Sequence, residues 1–175
     1  GLYNYGRILE LGCAKSIPRD INESFNYYKM AADEGNSDGM YNTARMLQDG
    51  IGTSRDLKLA FYYFEKASQT KNPRAMNSTG FMLLKGFGTE KNEMQALKYF
   101  KMGADAGSSV SMNNYAEMLE KGEGTPNHRK NRAMALKYFI KAADLNDSNA
   151  MNNYARYLEN GIHIHKNIEK AMEYY

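Results

Sequence analysis

The chain has one cysteine, Cys13, so no disulfide can form within it. That usage is compatible with a reducing compartment. It has no apolar run approaching the about 20 residues a membrane-spanning helix needs. No cleavable leader is recognisable. The chain begins inside one helical pattern and ends at Tyr174-Tyr175 inside another, so it reads as a piece of a longer protein, and missing targeting signals carry little weight. Charge of one sign is scarce too. The net charge is +3, and no five consecutive residues are Lys or Arg. The densest basic stretch, residues 128–132 (HRKNR), reads as a solvated loop, so nucleic acid is excluded as an expected partner. These absences lean towards the cytoplasm, with the endoplasmic-reticulum lumen as the alternative.

Chemistry-bearing motifs are equally sparse. Gly-x-Gly-Thr occurs three times, from Gly50, Gly86 and Gly122. A phosphate loop needs G-x4-G-K-[ST], and a dinucleotide fingerprint needs G-x-G-x-x-G after a strand. Neither spacing is present. His163 and His165 alternate in one loop, and His128, in a different repeat, is the remaining histidine, so no metal set is expected. Asn22, Asn77 and Asn146 open Asn-x-Ser/Thr matches, a number expected by chance among 18 asparagines. No nucleophile, base and acid fall into a recognisable constellation. The expectation is a protein with no catalysis, cofactor, metal or small-molecule substrate.

What is present is repetition. Gly12, Gly50, Gly86, Gly122 and Gly161 open equivalent loops, 38, 36, 36 and 39 residues apart. Self-similarity at such a period marks a solenoid, whose repeats stack on their neighbours. Counted back from each glycine, position −3 is always leucine: Leu9, Leu47, Leu83, Leu119 and Leu158. Position −6 is always small: Gly6, Ala44, Gly80, Ala116 and Ala155. Position −11 is small as well, and position −10 is Leu2 or one of Met40, Met76, Met112 and Met151. At about 100° per residue these positions share one helix face, predicted to be core. Each loop then offers a helix cap: Asp20, Asp56, Asn92, Asn131 or Asn167. A small residue follows, then an aromatic pair such as Tyr63-Phe64 or Tyr99-Phe100, then a second small pair. The aromatic ladder is expected to be core, with no competing strand pattern.

This arrangement resembles the Sel1-like repeat family, most fully over Met76–Gly107 and Met112–Asn146, and in outline over the whole chain. Repeat one departs from it with Gly12-Cys13-Ala14, and repeat four carries a three-residue insertion near Asn127–Lys130. The resemblance implies an all-α, tetratricopeptide-like solenoid: a right-handed superhelix of antiparallel helix pairs. One domain is expected over residues 1–175, with repeats at about 1–38, 39–74, 75–110, 111–149 and 150–175, the first and last incomplete. It also implies an adaptor role. A cysteine-rich bacterial branch linked to penicillin binding needs a cysteine pair in each repeat, which Cys13 alone cannot supply.

If the first helices line a groove, its surface comprises positions −9, −8, −5, −2 and −1. Position −8 supplies Asn42, Asn114 and Asn153, whose amides suit a peptide backbone. Position −5 supplies Arg45, Glu117 and Arg156. Repeat three breaks the polar rule with Phe81 at −5 and Leu84 at −2, one turn apart on one face. The expected site is therefore Phe81 and Leu84 anchoring a protein partner, with Arg45 and Glu117 at the edges and Asn42, Asn114, Asn153 and Arg156 along the groove. No membrane contact is expected from this segment. The alternative is a structural spacer or regulatory segment of a larger protein, for example beside a kinase domain.

Overall fold

The computed structural model describes residues 1–12 and 18–175. Cys13 and Ala14, where repeat one departs from the pattern, lie outside them. Among the described residues the fold is all α, with ten α-helices and no strand: α1 (Leu2–Leu11), α2 (Ile21–Asp33), α3 (Ser37–Asp49), α4 (Leu57–Gln69), α5 (Pro73–Lys85), α6 (Glu93–Asp105), α7 (Ser109–Lys121), α8 (Arg132–Ala143), α9 (Ser148–Asn160) and α10 (Ile168–Tyr174). Two compact units divide the chain at Lys91/Asn92. The N-terminal unit packs α1 to α5 and the C-terminal unit α6 to α10, each helix lying against its neighbours in sequence.

Local chemistry sets the helix boundaries. Asp20, Asp56, Asn92, Asn131 and Asn167 each accept a backbone N–H three residues on, at 2.9–3.0 Å. The N–H groups of Asp20, Asp56, Asn131 and Asn167 in turn reach the carbonyls of Leu9, Leu47, Leu119 and Leu158 at 2.8–3.0 Å. The invariant leucine therefore ties the loop shut with its backbone while burying its side chain. The first helices have caps of their own, Asn36, Asn72, Ser108 and Asp147. Gly50, Gly86, Gly122 and Gly161 are left-handed, as a glycine past the last turn requires. Gly12 differs, with φ 74° and ψ 147°.

The second glycine of each G-x-G explains the motif. Gly52 and Gly88 rest on the first turn of the preceding repeat's second helix, where a Cβ would fall on the carbonyl oxygens of Ile21 and Leu57. Gly124 meets Glu93 in the same way in the C-terminal unit. The loop is a joint between repeats. The insertion in repeat four forms a short 3-10 turn, Pro126–His128, with the His128 carbonyl set over Gly122.

The core follows the repeat. Leu9, Leu47, Leu83, Leu119 and Leu158 are all buried, as are Phe64, Phe100, Phe139 and Tyr28. Small residues allow the helices to close on each other: a Cβ on Gly39 of α3 would lie 2.9 Å from that of Ala31 on α2. The buried arc is nevertheless wider than the predicted face. Position −4 (Met46, Met82, Met118, Tyr157) and position −7 (Thr43, Thr79, Tyr154) are buried too. A first helix in the middle of a stack is covered on two flanks, by second helices and by neighbouring first helices, so one apolar stripe underestimates what it buries.

Candidate functional site

The predicted groove residues lie on α3 and α5 of the N-terminal unit and on α7 and α9 of the C-terminal unit. A side chain at −5 on one first helix falls beside position −2 on the preceding one. In the N-terminal unit Arg45 of α3 pairs with Glu10 of α1, and the same carboxylate accepts the Tyr28 hydroxyl of α2 at 2.7 Å. Burial acts to raise the Glu10 pKa, but the Tyr28 hydrogen bond and the guanidiniums of Arg45 and Arg19 outweigh it, holding the carboxyl below its ordinary range. Burial, with Glu10 as hydrogen-bond partner, pushes the Tyr28 phenol up.

The C-terminal unit repeats the arrangement in the same register. Arg156 of α9 grips Glu120 of α7 through two bonds, 3.0 and 2.7 Å. Burial again works to raise the Glu120 pKa, and Arg156, with help from Tyr157 and Arg132, brings it below the ordinary value. Beside the pair, Asn153 donates to Asn113 at 3.0 Å, Asn113 donates to Glu117 at 2.9 Å, and Lys121 stands 3.8 Å from Glu117.

These pairings redistribute the predicted roles. Arg45, Glu117, Asn153 and Arg156 engage each other or neighbouring side chains. Asn42 is a correction to the outward face: it is 9% exposed and donates to the Asp38 carbonyl of its own helix at 3.0 Å. Asn114 is half-buried. Sequence reasoning missed Glu10, Tyr28, Glu120 and Asn113. One signal was available: Tyr28 and Tyr175 carry a hydroxyl at the second place of the aromatic pair, and each bonds the −2 glutamate of its own repeat, Glu10 or Glu159.

Repeat three lacks this ladder on its N-terminal side. Phe81 of α5 stands where the arginine would be, opposite Gln48 in the register of repeat two. Its ring is 41% exposed and meets that of Phe87 edge-on, with centroids 6.0 Å apart. Phe87 does not bury it, being 42% exposed itself. The Lys85 ammonium lies 5.9 Å from the Phe81 centroid, Leu84 is half-buried, and Ile51, the counterpart of Phe87 in repeat two, is also exposed.

Among the described residues, no group of three or more His, Cys, Asp and Glu is placed to hold a metal ion, and no helix is long and apolar enough to cross a membrane. His163 and His165 are exposed.

Among curated proteins, none matches the chain. Solved structures do. A Sel1 repeat protein of Oxalobacter formigenes matches with TM-score 0.90 at 25% identity, over 99% of this chain and 69% of that one. A protective antigen of uropathogenic Escherichia coli with an SLR fold matches with TM-score 0.87 at 24% identity, over 99% of this chain and 36% of that one. An immunity protein of Pseudomonas aeruginosa matches more distantly, with TM-score 0.63 at 17% identity over 99% and 62%. The Sel1 repeat model matches residues 1–36, 37–69, 73–108, 109–147 and 148–175. Proteins built from this repeat are in general protein-interaction scaffolds, and the fold is typically non-catalytic. With five successive repeats matched, the chain belongs to the Sel1 repeat family.

Proposed function

We propose that this chain is a non-catalytic adaptor segment that holds a partner protein against the first helices of its N-terminal unit, with Phe81 and Leu84 as anchors. The observation that carries the reading is the exposed aromatic pair formed by Phe81 of α5 and Phe87 of the loop after it, with Phe81 at a position where the other repeats carry Arg or Glu. Contiguous exposed apolar side chains mark interaction sites, and aromatic anchors dominate binding energy. Arg45 serves such a surface indirectly, since its ion pair with Glu10 shapes the neighbouring groove. In the C-terminal unit, Glu117, Asn153 and Arg156 spend their polar groups on internal bonds, which suits the stiff element required by the spacer reading.

The test is selection of a random peptide library against the chain, followed by binding to Phe81→Ala with Leu84→Ser. Peptides with an aromatic or large aliphatic anchor, bound at least about tenfold more weakly by the double variant at unchanged Tm, support the site. Equal binding, or a collapse of Tm that makes the pair core, removes it.

A further inference from the structure

The N-terminal unit contains a cleft of about 450 Å3 between Tyr3, Arg7 and Glu10 of α1, Tyr28 of α2, Asn42 of α3 and Arg74 of α5. The carboxylate that lines it is already engaged. Glu10 accepts from Tyr28 and pairs with Arg45, while Asp38, in the first turn of α3, takes the lining Arg74 at 2.7 Å and Asn72 at 3.3 Å. Arg7 is different. It occupies the same repeat position as Arg45 and Arg156, both of which close on a glutamate. Yet Arg7 is exposed, rests 5.9 Å over the Tyr3 ring and makes no ion pair among the described residues. Arg74 is held in place by Asp38 and by stacking 4.6 Å over Tyr41, with more than half of its side chain open to solvent.

We propose that this cleft receives a side-chain carboxylate from an acidic segment of the partner protein. It deepens the interaction role proposed above and rests on it, but uses residues other than Phe81 and Leu84. The charge count selects the ligand. Two guanidiniums (Arg7, Arg74) and one carboxylate (Glu10) line the cleft, so a single positive charge remains to be matched. That suits a monoanion. A phosphate, approaching two negative charges at neutral pH, would meet the Glu10 carboxylate with its second charge unmatched. Guanidinium forks bind carboxylates in two-pronged fashion, and the flank formed by half-buried Tyr3 and exposed Leu11 provides an apolar wall for the methylenes of a glutamate stem.

The experiment titrates acetylated tetraglutamate, with tetraglutamine as control, into the isotope-labelled chain and follows the arginine Nε–H resonances. Saturable shifts at Arg7 and Arg74 with the glutamate peptide alone, weakened by about tenfold in Arg7→Gln at unchanged Tm, are expected. Shifts of equal size at Arg55 and Arg129, outside the cleft, would show diffuse charge screening and overturn the assignment. So would an affinity that Arg7→Gln leaves untouched, or no saturable shift at all. Phe81→Ala with Leu84→Ser leaves these shifts in place, so failure of the aromatic anchor and failure of the carboxylate cleft read out separately.

Discussion

Arg156 on α9 and Glu120 on α7, 36 residues apart in sequence, are joined by two parallel hydrogen bonds of 3.0 and 2.7 Å, each group facing the other across successive repeats. Arg45 and Glu10 form the corresponding pair, 35 residues apart, in the other unit. A solenoid draws its stability from interfaces between neighbours, so these pairs act where one repeat meets the next.

Glu120→Gln should lower stability at pH 7 by about 1–2 kcal/mol, a figure reduced for solvent screening because the Arg156 side chain is 39% exposed. The sign of the pH dependence follows from the depressed carboxyl. Its contribution is present above the ordinary value of 4.5 and is lost as pH falls through the lowered folded value. Urea unfolding should therefore show the gap between wild type and variant narrowing as the pH drops below 4.5. A gap that stays constant into acid would mean the pair contributes through shape alone.

Tyr28→Phe removes a hydroxyl that donates to Glu10 from a side chain 1% exposed. The expected loss is about 1.5–3 kcal/mol, the range for a hydrogen bond to a charged group. The ring and its packing remain, so helical circular dichroism should be unchanged while the denaturant midpoint falls. An unmoved midpoint would count against the bond.

Gly88→Ala should destabilise by about 1–3 kcal/mol or more, from the strain of a side chain at φ 68° and from collision with the Leu57 carbonyl. Gly35→Ala separates the two causes, since its φ is 86° but nothing stands within 4 Å of the added Cβ. The difference between the two variants in thermal unfolding measures the repeat joint itself.

Leu83→Ala should cost about 2–5 kcal/mol, the penalty for a cavity at a leucine that is 2% exposed. A loss below about 0.5 kcal/mol would place the side chain outside the core.

The sequence alone determined the features that rest on neighbouring residues. Asp56 capping α4, Gly86 ending α5 and Ala60 beneath Tyr63-Phe64 are local relationships, closed within a few residues and copied in register, so periodicity reveals them. Even Lys71 and Asn146, standing where Gly35 and Gly107 close other second helices, keep the left-handed backbone at φ 64° and 61°, because the repeat geometry demands it. Tertiary structure decided the rest. Whether Arg45 faces a partner or Glu10 depends on a residue 35 positions away, and a hydrogen bond between stacked helices leaves no mark on helical periodicity. Asn42 reads as outward on a single helix, yet it is buried because the neighbouring helices cover that flank as well. Phe81 shows the converse. Its sequence position marks it as unusual, but only the tertiary structure shows the edge-on packing with Phe87 that leaves both rings open to solvent.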